Sequence, residues 1–344
     1  MNLDPAVNSF GGGVDRREGE RMGTAPKSAT PAPGPARAAV RRAARTAAPA
    51  VLALLIGSGA VAACSAHGGG PGDGQGDPRA VTDGEEKLLE RAEEVLLREC
   101  MEDHGFEYRI TEDETPPEIG KFPYVIDDPE WAAEHGYGSG LRRKVAELRE
   151  EDPNQRYFNA LPEDRRQEAL RAANGPSPVG IEATTPDGME LGRSDQGCRS
   201  QAQRELYGDL EGWFQATTTV DALENMRRDR VVSDPAYEEA AASWSVCMKE
   251  AGHDYTTPME VRRSLPPPDD PLPEDEETAL AVAEAECAQE TGLGDTADEL
   301  DRQYGDELRR EHRSAVEERR RLQLDALPRA RSVTGESEEG SGQA

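Results

Sequence analysis

Apolar residues recur at helical spacing along this chain far more often than they alternate. Over residues 85–104, Leu88, Ala92, Val95, Leu96 and Cys100 fall on one face, and Gly105 follows directly as a left-handed helix stop would. A second stripe runs through Tyr237, Ala240, Ala241, Trp244, Cys247, Met248 and Ala251. It is introduced by Asp234-Pro235, an N-cap followed by a first-turn proline, and ended by Gly252. After each glycine the chain reaches an aromatic in extended sequence, through Phe106 to Ile110 and through His253 to Thr257.

Between the two stripes the pattern predicts a short strand over 122–126 and helices over 129–135, 139–151 and 162–174. Residues 175–193 read as loop. A helix starting near Asp195 carries Cys198, Ala202, Leu206 and Leu210. Beyond the Pro-rich residues 265–273, an acidic helix over 274–290 holds Cys287. One long charged helix is expected over 296–327, with a narrow stripe of Leu300, Tyr304, Leu308, Ala315 and Leu322, and the tail after it as disordered. Such a helix serves either as a partner-binding arm or as an element folded back on its own domain.

The first 63 residues have a different texture. Arg37, Arg41, Arg42 and Arg45 precede the apolar residues 47–56 and Val61, and the small pair Ala62-Ala63 precedes Cys64. Basic, then apolar, then small is the order of an export signal, and the apolar run is too short and too broken for a membrane span of about 20 residues. A cysteine directly after the small pair makes the site a lipobox, so Cys64 is the expected lipidation residue. Met22 would open a more ordinary leader than Met1 does. Residues 64–83 are a Gly-rich tether with a reach of roughly 20–25 Å as a flexible coil.

Charge narrows the function classes. The chain carries 40 basic and 69 acidic residues. The leader holds eight and four of these, so the remaining 281 residues carry 32 against 65, a net of −33. Such a surface repels phosphate backbones and anionic headgroups, which argues against nucleic-acid binding. Arginine outnumbers lysine 35 to 5, as GC-rich coding produces. Apolar residues make up 35% and aromatics 5%, so the core must be thin and covalent staples useful.

Four cysteines remain after Cys64, and they sit in a repeat. Cys100-Met101-Glu102-Asp103-His104-Gly105-Phe106-Glu107-Tyr108 recurs as Cys247-Met248-Lys249-Glu250-Ala251-Gly252-His253-Asp254-Tyr255. Each copy is followed by another cysteine with an acid three residues earlier, Asp195 before Cys198 and Glu284 before Cys287. In an oxidising compartment two disulfides are the default. Of three possible connectivities the simplest lies within each unit, Cys100 with Cys198 and Cys247 with Cys287. Gaps of 98, 49 and 40 residues lack the close pairs of a zinc site or a thiol oxidoreductase. A cysteine nucleophile would need an unpaired thiol near a histidine such as His104 or His253, and the copies differ at those positions.

Other chemistry is sparse. The chain has no nucleophile elbow, phosphate loop, zinc-protease helix or EF-hand loop. The acidic runs Asp269-Asp270 and Glu274-Asp275-Glu276-Glu277 read as solvated faces before they read as calcium sites. Trp131, Tyr137, Tyr157, Phe158 and Trp213 read as core or loop anchors before a ligand or glycan platform. No cofactor, metal or catalytic residue is expected.

With its lipobox and both Cys-Met-x-x-x-Gly-x-x-Tyr units, the chain resembles a loose group of actinomycete extracytoplasmic lipoproteins. The resemblance extends to Asn154 and Tyr157, Ala160-Leu161-Pro162, Ala169-Leu170 and Gly175, and to residues 203–209 after Cys198. It implies architecture and company, namely envelope adaptors and ABC-type transport proteins, and brings no catalytic residues.

The expected fold is mainly α: two disulfide-stapled helical units (84–230, with a helical insert, and 231–292), short extended segments, a charged C-terminal helix over 293–330, and disordered termini including 331–344. The expected function is a binding or accessory module, held by lipid at Cys64 on the extracytoplasmic face of the cell membrane. A solute-binding lipoprotein is the alternative, and a disulfide-stabilised enzyme a more distant one.

Overall fold

The computed structural model describes residues 79–336 except 113, 178 and 268–269. Cys64, its leader and most of the tether lie outside the described residues, as does the tail after Glu336. No helix among the described residues is long and apolar enough to cross a membrane. Among the described residues twelve helices and one two-stranded hairpin are formed, and the fold is mainly α as the periodicity predicts.

Helix α1 (Asp83–Asp103) starts on a capping box in which Thr82 and Glu85 satisfy each other's backbone amides. Arg79 pairs with Glu85 and holds its carboxyl down to about 2. The insert forms α2 (Pro129–His135), α3 (Ser139–Glu151), α4 (Pro153–Ala160) and α5 (Glu163–Asn174). Then come β1 (Ile181–Thr184), β2 (Glu190–Arg193), α6 (Cys198–Tyr207) and α7 (Leu210–Val232). The second unit supplies α8 (Pro235–Glu250), α9 (Pro258–Ser264) and α10 (Glu274–Thr291), and the chain closes with α11 (Leu293–Glu311) and α12 (Arg313–Thr334).

The repeated Cys-Met-x-x-x-Gly unit builds the same helix ending twice. Phe106 N–H reaches Met101 C=O and Gly105 N–H reaches Glu102 C=O; in the second copy His253 reaches Met248 and Gly252 reaches Lys249. This is the Schellman pairing, and it needs left-handed backbone at the glycine. Gly105 and Gly252 have φ of 77° and 93°. The methionine between cysteine and glycine is fully buried in both copies.

Two hydrophobic clusters result. The first gathers α1, α6, the start of α7 through Trp213, Phe158 of α4, Ala169 and Ala173 of α5, and α12. The second gathers α8, α10, the start of α11, Val261 of α9 and Val231 at the end of α7, together with Tyr124, Val125, Ile126, Ala132 and Tyr137. The clusters are thus interleaved along the chain. Residues 122–137 sit within the first unit in sequence yet pack into the second cluster, and α12 returns from the far end to the first. Helix α7, 23 residues long, contributes to both.

Several sequence expectations are corrected. The C-terminal helix is two helices broken at His312, and its second part folds back onto α1 through Leu322, Ala326, Leu327 and Ala330. It continues through Pro328 to Thr334, beyond the expected end, because Leu327 and Ala330 are buried on either side of the proline. Residues 122–126 form no strand; the Ile126 amide donates to a side chain instead of a neighbouring strand. Residues 175–193, read as loop, hold the hairpin, whose strands of four residues are too short to announce themselves by alternation. Its turn, Thr185-Pro186-Asp187-Gly188, is a strong turn sequence. Helices α4, α7 and α9 were also not read. Asp152-Pro153 and Thr257-Pro258 carry the same start signal as Asp234-Pro235.

Extended backbone is satisfied here by side-chain amides. Asn154 Oδ1 accepts from Arg109 N–H at 2.8 Å while its Nδ2 donates to Arg109 C=O at 2.8 Å. Gln215 does the same for Thr184, at 3.0 and 2.9 Å.

Gly252 has open space where a Cβ would sit, so the cost of Gly252→Ala is conformational alone. Its expected magnitude is about 1–2 kcal/mol, read as a shift in urea midpoint at constant slope. Removing the Cys100–Cys198 bridge, which spans 98 residues, costs about 5 kcal/mol on loop closure. The 40-residue Cys247–Cys287 bridge costs about 4 kcal/mol on the same basis. Comparing the two Cys-to-Ala double variants by denaturation checks that order.

Candidate functional site

The cysteines fall into place first. Cys100 is joined to Cys198 and Cys247 to Cys287, each with Cα atoms 5.6 Å apart. Each bridge pins the last turns of one repeat helix to a second helix: the first turn of α6 and the C-terminal part of α10. Cys100, His104 and Cys198 form the only grouping of metal-type donors among the described residues, within 4.8 Å of one another. Both sulfurs of that group are bonded together, which leaves a single exposed imidazole beside a disulfide.

The densest chemistry lies on α10, at residues the sequence reading left in a solvated acidic run or noted only for their spacing from a cysteine. Glu277 and Glu284 are seven residues apart, on the face that also carries Leu280, Ala281, Ala285 and Ala288. Glu277 is 5% exposed and Glu284 is 0% exposed. Both carboxylates hold the crossing segment that follows Tyr124. Glu284 Oε1 accepts from Ile126 N–H at 2.9 Å, and Oε2 accepts from the Tyr137 hydroxyl. Glu277 Oε1 accepts from Tyr137 N–H at 2.8 Å and Ser139 N–H at 3.1 Å, and its other oxygen from the Ser139 hydroxyl. The indole of Trp244, on α8, donates to the backbone carbonyl of Glu284 at 3.2 Å.

Local sequence makes this clamp possible. Gly136, with φ of 58°, ends α2 directly over Glu277, and a Cβ there would press to 2.9 Å of the glutamate side chain. Asp128 caps α2 through Trp131 N–H at 3.0 Å and fixes the direction in which the segment leaves for Tyr137. Arg262 of α9 donates to the carbonyls of Pro123 and Phe122, at 3.0 and 2.9 Å, and holds the start of the same segment.

Burial pushes the Glu284 carboxyl above its ordinary value; the hydrogen bonds from Tyr137 and Ile126 and the charge of Arg262 pull the other way. Burial, then the neighbouring glutamate charge, raises the Tyr137 hydroxyl far out of its usual range. Burial thus disfavours the charged form of both groups. Two depressions among the described residues, over Glu102 to Arg109 and beside Glu274 to Ala279, are shallow and open to solvent. Neither is lined by Glu277 or Glu284, whose oxygens accept from the crossing segment as a latch would.

The remaining candidates read as anchors. Tyr137, Phe158 and Trp213 are buried, with Trp213 stacked on Tyr207 at 3.6 Å, and Tyr157 packs against the first cluster. Trp131 stacks on His135 at 4.8 Å and meets Phe122 edge-on at 4.9 Å. Two acids at core positions of an otherwise Ala- and Leu-lined stripe were the signal for the α10 clamp.

With this geometry in hand, comparison with known proteins adds no identity: no family model, curated protein or solved structure matches the chain.

A carboxyl whose folded value lies above its unfolded one keeps a proton that the unfolded chain releases. The stability it supplies is present below 4.5, the ordinary value, and is lost as pH rises through the folded value. The stability of Glu284→Gln relative to wild type, read in urea titrations, should therefore increase as pH rises from below 4.5 through the folded value. A difference that stays constant with pH would show that Glu284 is not the titrating group. Glu284→Ala orphans the Ile126 amide and the Tyr137 hydroxyl, for an expected loss of about 3 kcal/mol.

Proposed function

We propose that this protein is a lipid-anchored binding or accessory module on the extracytoplasmic face of the cell membrane, serving an envelope or transport complex. The observation that carries the reading is the lipobox, Val61-Ala62-Ala63-Cys64, followed by a Gly-rich tether and a disulfide-stapled helical body. Lipid at Cys64 would put the body within a tether's length of membrane proteins and leave its surface free to meet them. Two disulfides suit an oxidising compartment. The buried titratable groups on α10 are engaged with backbone and hydroxyl donors of the same chain, which suits a module that presents a surface.

The test is extraction of the native protein in mild detergent, with mass spectrometry of the mature N-terminus and of co-purifying chains. The expected result is a Cys64 N-terminus carrying acyl chains, a stoichiometric membrane partner, and release of Cys64→Ser into the soluble fraction. An unmodified N-terminus overturns the anchor. An anchored protein that emerges alone overturns the accessory role and moves the search to small solutes.

A further inference from the structure

The hairpin has one covered edge and one open edge. Its register pairs Ile181 with Arg193, Glu182 with Gly192, Ala183 with Leu191 and Thr184 with Glu190. Thr185 N–H bonds to Met189 C=O at 2.9 Å, and the Thr184 backbone faces away, onto Gln215. Antiparallel alternation then aims the backbone groups of Leu191 and Arg193 at β1 and those of Glu190 and Gly192 outward. Asn154 covers Arg109 and Gln215 covers Thr184, but no side chain among the described residues covers Glu190 or Gly192.

The side chains agree with the backbone. Met189 and Leu191 pair with the buried Thr185 and Ala183, so they lie on the face that packs on α7. Yet they are 55% and 40% exposed, because that face overhangs the helix. The Arg193 guanidinium closes one end of the overhang, lying over the Phe214 ring at 4.8 Å. On the opposite, solvent face Glu190 and Glu182 are diagonal neighbours, and neither has an ion-pair partner among the described residues.

We infer that the open edge of β2, Glu190–Gly192, captures an extended cationic segment of a partner protein as an added strand. This inference rests on the binding-module reading above and names its partner class. An incoming strand hydrogen-bonds the outward N–H and C=O groups of Glu190 and Gly192. Its residue opposite Leu191 is apolar and fills the overhang. Its residues opposite Glu190 and Gly192 are Lys or Arg: one meets Glu190 directly, and the other crosses the bare Gly192 position toward Glu182. The occupant is thus a basic–apolar–basic stretch, drawn in by a chain of net charge −29. A second copy fits poorly. A two-fold antiparallel pairing centred on Leu191 sets Glu190 opposite Gly192 and puts no cation against either glutamate.

The test uses the full chain, isotope-labelled, with a capped Lys-Val-Lys-Val-Lys peptide as probe and its Glu-for-Lys counterpart as control. The expected result is saturable binding of the lysine peptide, with amide exchange slowed at Glu190 and Gly192 and unchanged at Leu191. Glu190→Lys should weaken binding by about tenfold or more. Gly192→Pro, which deletes an outward N–H, should abolish it. Glu276→Lys changes net charge equally at an exposed position of α10 and should leave binding within about twofold. Equal weakening by Glu190→Lys and Glu276→Lys would overturn the site in favour of diffuse charge. Edge protection that rises with protein concentration, without peptide, would overturn it in favour of a second copy. If Glu190→Lys still co-extracts the membrane partner but fails with peptide, the edge inference fails and the accessory reading stands. If the peptide binds at the edge and no partner is extracted, the accessory reading alone fails.

Discussion

Two buried carboxylates on one helix hold this structure together. An ionised or hydrogen-bonding acid in a dry interior is tolerated only where its oxygens are met by donors. Glu277 and Glu284 meet that condition with backbone amides and hydroxyls of a single crossing segment: Ile126, Tyr137 and Ser139. The same contacts satisfy amides that a strand neighbour would otherwise have to satisfy. Without the clamp, residues 122–139 would have no way to lie irregularly against the second cluster.

That crossing segment makes one compact body out of what the sequence presents as two repeats. The chain leaves the first cluster after α1, contributes Tyr124 to Tyr137 to the second, returns for α4 to α6, and crosses again along α7. Helix α12 then comes back across. Arg227–Asp301 at 3.0 Å, Arg230–Glu311 at 2.7 Å and Arg319–Asp221 at 3.4 Å link α7 to α11 and α12. Surface pairs of this kind set alignment more than stability. The disulfides act locally, each inside one cluster, and the clamp fixes residues 126–139 in the second, while α7 contributes to both.

The repeat is a shared local motif set in different surroundings. Both copies end a helix with the same methionine carbonyl and the same left-handed glycine. Beyond that point they diverge. Tyr108 is buried with its hydroxyl on Glu94 at 2.8 Å, whereas Tyr255 is half-buried and its hydroxyl accepts from Ser264 at 3.2 Å. The acid preceding the second cysteine diverges further: Asp195 offers its backbone carbonyl to Arg204 at 2.7 Å, and Glu284 becomes the buried latch.

What the sequence determined by itself is what is local in the chain. Helix periodicity, the Asp234-Pro235 start, the glycine stops and the pairing of cysteines within each unit all depend on residues a few turns apart, or on a duplicated spacing. The turn Pro186-Asp187-Gly188 and the starts at Asp152 and Thr257 were equally present as signals, though four-residue strands and helices of about two turns are too short for periodicity to support them. Only the tertiary structure decided that residues 122–137 belong to the second cluster, that the C-terminal helix breaks at His312, and that Glu277 and Glu284 lie inside. The reason is that a carboxylate's burial depends on which donors reach it from more than a hundred residues away; spacing along α10 sets both acids on the apolar stripe but does not name those donors.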